Sequence, residues 1–243
     1  MESYREETYG ERFAGIYDDW YADVDDATVA TLRELAQGGR ALELGIGTGR
    51  VALPLQQSGL EVHGIDASEA MVARLRAKPG GESIPVTLGN FADVAVEGRF
   101  SLIYVLVNTF FVLLTQDEQV RCFENVARHL TPEGVFLIEV FVPDLTRFAN
   151  QQTVRARQVG LDQVRLEASH LDPVNQQIMT QMVVLTGEGV RLYPVKVRFA
   201  WPAELDLMAR LAGLHLRHRW EDWTLTPFSA GSSTHISVYG WSE

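Results

Sequence analysis

Between positions 42 and 50 the chain reads Leu42-Glu-Leu-Gly-Ile-Gly-Thr-Gly-Arg50, three glycines at alternate positions directly after a short apolar run. Gly45, Gly47 and Gly49 remove side chains where a backbone turn must touch a ligand. Asp66 closes the next apolar run, 21 residues after Gly45. A carboxylate there can accept both hydroxyls of a ribose, so the chemistry on offer is nucleoside recognition. Gly47-Thr-Gly-Arg-Val-Ala52 also satisfies the dinucleotide pattern G-x-G-x-x-A, which leaves NAD-dependent hydride transfer open.

Three features move the reading away from a pyrophosphate. Glu43 precedes the first glycine by two residues, and a negative charge there suits a ligand with an amino group and a sulfonium better than an anion. Gly89-Asn-Phe91 follows the third apolar run, where an amide and an apolar ring can frame an adenine. The fourth run leads into Asn108-Thr-Phe-Phe-Val-Leu-Leu-Thr-Gln116, which has no recognisable nicotinamide site. A non-catalytic protein that only binds an adenosyl ligand is a further alternative at this point.

Candidates for proton chemistry are few. Glu139 interrupts the apolar run Phe136-Leu-Ile-Glu-Val-Phe141 near its end. A carboxylate there is costly unless it is paired or functional: it either accepts a proton, holds a substrate ammonium, or caps nearby backbone amides. His129 falls at the end of a helical stretch before Pro132 and reads as structural. The six histidines show no ligand spacing, with His215 and His218 expected on opposite faces of a strand, so no metal site is expected. Cys122 is the one cysteine. It shares a helical stretch with Phe123, Val126, Ala127 and Leu130 and reads as a small packed residue.

These residues need elements to hold them. Apolar runs at 40–44, 60–65, 84–88, 100–107 and 134–141 alternate with helical stretches at 48–58, 68–78 and 116–130. Near-continuous apolar runs suit strands covered on both faces, and the alternation predicts βαβ units in an α/β, doubly wound, mostly parallel sheet. After Pro143 the pattern changes. Segments 152–159, 163–171, 176–186 and 190–200 alternate and are separated by turn signals at Gly160, Asp172-Pro-Val-Asn175 and Gly187-Glu-Gly189, which predicts an antiparallel layer. A helix follows at 202–213, opened by Pro202 and stopped by Gly213. Strands at 214–220 and 234–241 rejoin the sheet.

The formal charge is −11, from 21 Lys and Arg against 32 Asp and Glu. Such a chain repels a phosphate backbone, which argues against nucleic-acid substrates. Its first residues, Met1-Glu-Ser-Tyr-Arg-Glu-Glu7, do not form a signal peptide, and no apolar run reaches a membrane span, so a cytoplasmic protein without a membrane partner is expected.

Together these residues resemble the class I S-adenosylmethionine-dependent methyltransferases, in particular the bacterial small-molecule branch. The matching positions are Glu43-x-Gly45-x-Gly47-x-Gly49, Asp66 with Ala67-Ser68-x-x-Met71, Gly89-Asn90-Phe91, the Phe100-Ser-Leu-Ile strand and His129-Leu-Thr-Pro-Glu-Gly134. Tyr17-Asp-Asp-Trp-Tyr21 is similar to the family's N-terminal lid helix. The match covers about residues 9–143, and the later part is similar in layout to sugar and peptide N-methyltransferases of natural-product pathways. The resemblance implies a Rossmann-like methyltransferase core with an antiparallel β insertion and S-adenosylmethionine as cofactor. It implies that Glu43 and the three glycines hold the methionine part, Asp66 the ribose, Met71 and Phe91 the adenine faces and Asn90 its amino group, with Ala67 and Leu106 completing the set. Many relatives carry Asp where this chain has Asn90. Tyr17 or Tyr21 would close over the methionine carboxylate, and Tyr21 and Glu139 are the candidate catalytic residues. Residues 1–145 would form the lid helix and cofactor core, 146–200 the insertion, and 201–243 the last helix and strands. The insertion is expected to cover the open end of the sheet or to join subunits of a homo-oligomer. The expected reaction is methyl transfer to a small-molecule acceptor, nitrogen first, with carbon or phenol oxygen of an aromatic ring as alternatives.

Overall fold

The computed structural model describes residues 4–21 and 24–242, so the first three residues of the acidic N-terminal run lie outside it. The chain opens with helices α1 (Thr8–Phe13), α2 (Tyr17–Trp20) and α3 (Asp26–Ala36). It then alternates β1 (Ala41–Leu44), α4 (Ala52–Gln57), β2 (Val62–Asp66), α5 (Glu69–Arg76), β3 (Val86–Leu88), β4 (Phe100–Val105), α6 (Gln116–His129) and β5 (Leu130–Phe141). Strands β6 (Gln152–Val159), β7 (Gln163–Asp172), β8 (Gln177–Thr186) and β9 (Gly189–Arg198) follow, then α7 (Pro202–Leu211), β10 (Leu214–Trp220) and β11 (Thr234–Trp241).

The core is one seven-stranded sheet ordered β10-β11-β5-β4-β1-β2-β3. β1, β2, β3, β4 and β5 run parallel, and β11 pairs antiparallel with β5 and β10. This is the Rossmann-like arrangement expected from the sequence. Its apolar runs are buried because helices cover both faces: β1 is buried at all four positions, Ala41 to Leu44. Strands β6 to β9 form a separate four-stranded antiparallel sheet, the insertion.

The local rules that place these elements are visible. Thr115 and Glu118 form a capping box that starts α6. Pro202 occupies the first turn of α7. The expected helix at 48–58 starts only at Ala52, because Gly47 and Gly49 hold φ of 54° and 74°, which no helix accepts. β5 starts earlier than expected, at Leu130. The register jumps from Phe100–Leu130 to Leu102–Val135, so residues 131–134, including Pro132, bulge out of the ladder. His215 and His218 do not face opposite ways: a bulge between Leu216 and His218 sets them across from Gly240 and Val238, on one side of the sheet. The helix α3 was not anticipated. Its cap is the Asp25 carboxylate, which accepts from the Ala27 N–H, and Thr28, Leu32 and Ala36 form its buried stripe.

A buried polar cluster ties the insertion to the core. Arg198, at the end of β9, donates to Gln119 Oε1 on α6 and pairs with Glu204 on α7 at 2.7 Å. Gln176 donates to the same Glu204 carboxylate and Gln119 donates to the Arg198 carbonyl. Arg198 is 4% exposed, so removing it leaves Glu204 partly buried without its cation. Arg198→Ala is expected to lower unfolding free energy by about 3–5 kcal/mol, measured by urea denaturation. A loss below about 1 kcal/mol would show that the cluster does not anchor the insertion.

Candidate active site

β1 and β4 are neighbours, and from that point the strand order runs in opposite directions. Ligands of open α/β sheets bind in the crevice at the carboxyl ends of such strands. A cavity of about 1090 Å³ opens there. Gly45 and Gly47 from the turn after β1, Asp66 and Ala67 at the end of β2, Met71 on α5, and Asn90 and Phe91 after β3 all line it. Tyr9, Tyr17, Trp20 and Tyr21 face it from the N-terminal helices, and Thr180, Met182, Val195 and Val197 face it from the insertion.

The three glycines do different work. A Cβ on Gly45 would lie 2.5 Å from Thr109 Cγ2, and one on Gly49 would lie 2.3 Å from Leu75 Cδ1. Those two positions are small because the backbone packs closely there. A Cβ on Gly47 would meet no atom nearer than 4.0 Å and would project into open space at the cavity wall. Gly47 is thus the one of the three whose missing side chain leaves open space at the cavity wall. Its N–H donates to Asp66 Oδ2 at 2.7 Å, and the Ser68 N–H donates to Asp66 Oδ1 at 2.9 Å. Each carboxylate oxygen keeps a lone pair for a ligand hydroxyl. Burial raises the Asp66 pKa above the usual carboxylate range, against the pull of these amides.

Glu43 sits beneath the turn, 6% exposed, and accepts from the Tyr104 hydroxyl at 3.1 Å. Burial pushes its pKa up to about 8, opposed by the Tyr104 bond and by Arg50. Burial therefore disfavours the ionised form of Glu43, which the sequence presents as a fixed charge. Arg50, outside the cavity lining, is a neighbour of Glu43 and Tyr17 that the sequence reading does not single out. Its guanidinium interacts with the Tyr17 hydroxyl, and its Nε is buried with no hydrogen-bond partner. The motif's final arginine was the available signal.

The N-terminal helices are fastened over the cavity. Asp18 on α2 accepts from Thr48 Oγ1 at 2.6 Å and from Lys78 Nζ at 2.8 Å. Glu11 on α1 accepts from the Ser68 hydroxyl and the Ala70 N–H. Behind them, Phe13 and Trp20 pack on Tyr193 of β9 with centroids 5.3 and 5.4 Å apart. The Tyr17 and Tyr21 rings lie 4.8 Å apart, and the Tyr9 hydroxyl bonds to Tyr21.

Other expected site residues lie elsewhere. Leu106 is buried in the core, and it, Glu43 and Gly49 lie outside the cavity lining. Glu139 lies outside the cavity lining, and each of its oxygens already accepts one hydrogen bond: Oε2 from the Val107 N–H and Oε1 from the Trp223 indole, each at 2.9 Å. Val107 holds φ of 51°, a strained value for a branched residue. The carboxylate and the Asn108 side chain, which accepts from the Phe141 N–H at 2.7 Å, hold this wall segment in place. His129 sits between the Asn125 and Val96 carbonyls, and Cys122 is fully buried with its pKa raised by burial. Phe110 and Phe111 belong to the core, and Trp201, Trp220, Trp223 and Phe228 stand away from the cavity lining.

A methyltransferase domain model matches residues 41–134. The chain is 40% identical to the CcbJ methyltransferase of Streptomyces caelestis, with 99% of this chain and 100% of that one covered and a TM-score of 0.91. It is 28% identical to the cypemycin N-terminal methyltransferase of a Streptomyces species over 213 residues, 87% of this chain and 86% of that protein. It is 29% identical over 140 residues to the dTDP-4-amino-2,3,4,6-tetradeoxy-D-glucose N,N-dimethyltransferase of Saccharopolyspora spinosa, 54% of this chain and 55% of that protein.

The raised Glu43 value fixes a pH dependence. A carboxyl whose folded pKa exceeds its unfolded one contributes stability that is complete below the unfolded value, 4.5, and is lost as pH rises to about 8. The melting temperature of the free protein should therefore fall across that window relative to Glu43→Gln, whose amide stays neutral. A difference between the two proteins that does not change with pH would remove the protonated Glu43.

Proposed function

We propose that this chain, which belongs to the class I S-adenosylmethionine-dependent methyltransferases, transfers a methyl group to a nitrogen of a small natural-product intermediate. One observation carries the reading: a single cavity joins the Gly47–Asp66 turn to the tyrosines of the N-terminal helices and to the insertion. Family membership closes the hydride-transfer alternative. S-adenosylmethionine supplies a methyl group already activated on a sulfonium sulfur.

The residues fit that cofactor. Asp66 has lone pairs for the ribose hydroxyls, and Gly47 leaves room beside it. Asn90, Phe91, Met71 and Ala67 line the stretch where an adenine would lie, and Leu106 is a buried core residue next in sequence to the lining residue Val107. The Asn90 Oδ1 already accepts from the Ala92 N–H at 2.9 Å, and it retains a lone pair for an adenine amino group. Gly45 and Gly49 shape the turn for the methionine part. Arg50, with its unpartnered Nε, and Tyr17 suit the methionine carboxylate. Glu43 lies behind the turn, where the ammonium would favour its ionised form.

The protein's part in transfer is alignment and exclusion of water. Helices α1 and α2 close the cavity on one side and the insertion on the other. Tyr9 and Tyr21 offer hydroxyls and ring faces to an amine. An amine needs only its own lone pair to accept the methyl, whereas a phenol needs a base, and no histidine lines the cavity among the described residues. Glu139 lies outside the cavity lining and accepts from the Val107 N–H. The similarity to an N-terminal and a sugar N,N-dimethyltransferase supports nitrogen over carbon or phenol oxygen. No described helix is long and apolar enough to cross a membrane, and the proposed location is the cytoplasm, where the cofactor is made. The exposed Val154, Val159, Val190 and Leu192 of the insertion keep a homo-oligomer interface in the proposal beside its role as cover.

The reaction is tested with S-adenosylmethionine labelled with carbon-13 in the methyl group, offered with a panel of amino sugars, peptide N-terminal amines and phenols. The label should appear in N-methyl carbon resonances of an amine product. Label found on phenol oxygen or ring carbon would overturn the nitrogen assignment.

A further inference from the structure

The protein is acidic overall, at −11, yet one wall of its cavity is basic. Arg147, beyond β5, Arg155 on β6 and Arg165 on β7 all line it. Arg155 stands directly across from Glu167 in the ladder, but Glu167 pairs with Arg157 instead. Among the described residues, Arg147, Arg155 and Arg165 form no ion pair. Arg147 and Arg165 rest on aromatic rings, their guanidinium carbons 4.9 Å from the Phe148 centroid and 4.7 Å from that of Trp20. The Nε of each is buried and has no hydrogen-bond partner. Asp144 feels the charge of Arg147 and Arg155, but its carboxylate accepts from the Thr146 N–H and hydroxyl. It therefore tempers the field without pairing.

A buried guanidinium Nε with no partner, as in Arg147 and Arg165, is costly, whereas Arg155 is exposed and free to turn toward a ligand. Guanidinium donors are planar and rigid, and they match the oxygens of a carboxylate or a phosphate. The rings under Arg147 and Arg165 hold the two guanidinium planes in place. The three arginines come from the segment after β5 and from the insertion, not from the turns that carry Gly47 and Asp66, and on that ground they are assigned to the acceptor.

We propose that the acceptor carries an anionic oxygen group, a carboxylate or a phosphate, bound by Arg147, Arg155 and Arg165. This inference rests on the reading of the cavity as a methyltransferase site. The anchored anion fixes one end of the acceptor under the insertion, and its nitrogen is then directed toward Tyr9, Tyr17 and Tyr21.

The test is calorimetry on the protein saturated with S-adenosylhomocysteine, titrated with acetate in one arm and pyrophosphate in the other at constant ionic strength. At least one anion should bind. Arg147→Gln and Arg155→Gln should each weaken it by about ten-fold or more, with S-adenosylhomocysteine affinity held within about two-fold. Arg155→Lys, which keeps the charge, should recover part of the loss. Arg191→Gln, an exposed arginine of β9 outside the cavity lining, should leave anion binding unchanged. The arm that binds identifies carboxylate or phosphate. The inference falls if neither anion binds while S-adenosylhomocysteine does, or if Arg191→Gln weakens binding as much as the cavity variants. Failure of S-adenosylhomocysteine to bind the unaltered protein would instead sink the reading of the whole cavity and this inference with it.

Discussion

The hydrogen bond from the Gly47 amide to the Asp66 carboxylate, 2.7 Å long, joins the turn after β1 to the end of β2. It requires a residue with no side chain at a positive φ, a strand that ends in an acid, and two parallel strands in register. Asp66 is half-buried where its charge is partly desolvated, and the amides of Gly47 and Ser68 hold it in place. Under the proposed function a ribose hydroxyl would meet the remaining lone pairs, and the cofactor would lie around this pair.

The rest of the molecule closes the space around that turn. Asp18 and Glu11 fasten two short helices across its mouth through Thr48, Lys78, Ser68 and Ala70. The insertion leans on those helices through Tyr193 and is locked to α6 and α7 by Arg198. The cavity lining is thus divided between parallel strands with their turns on one hand and the insertion with the N-terminal helices on the other. Under the proposed function the first part would take the nucleoside cofactor and the second the acceptor, so that acceptor choice could change in the insertion without disturbing the Asp66 pair.

Much of this was legible in the sequence. Every strand of the insertion lies within about two residues of its expected bounds, because alternation and turn signals such as Asp172-Pro-Val-Asn175 are local. The glycine turn and Asp66 were legible because their spacing follows from one βαβ unit. Other features depend on partners distant in sequence. Glu139 reads as a candidate base because a strand sequence cannot reveal that Trp223, 84 residues away, donates to it. Nothing in the sequence singles out Arg155 and Arg165, since period-two alternation does not say which face folds over a cavity. The raised Glu43 pKa needs its burial to be known. α3 is a different kind of miss, because Asp25 as cap and Thr28, Leu32 and Ala36 at helical spacing were all available.

The account stands on Asp66 and the turn it holds. The most direct measurement is the affinity of S-adenosylhomocysteine for the unaltered protein and for Asp66→Ala, by calorimetry with NAD as the competing nucleotide. The account predicts that S-adenosylhomocysteine binds, that NAD does not, and that the substitution weakens binding by about ten-fold or more through loss of two charge-assisted hydrogen bonds. Equal affinity in the two proteins, or tighter binding of NAD, would contradict it.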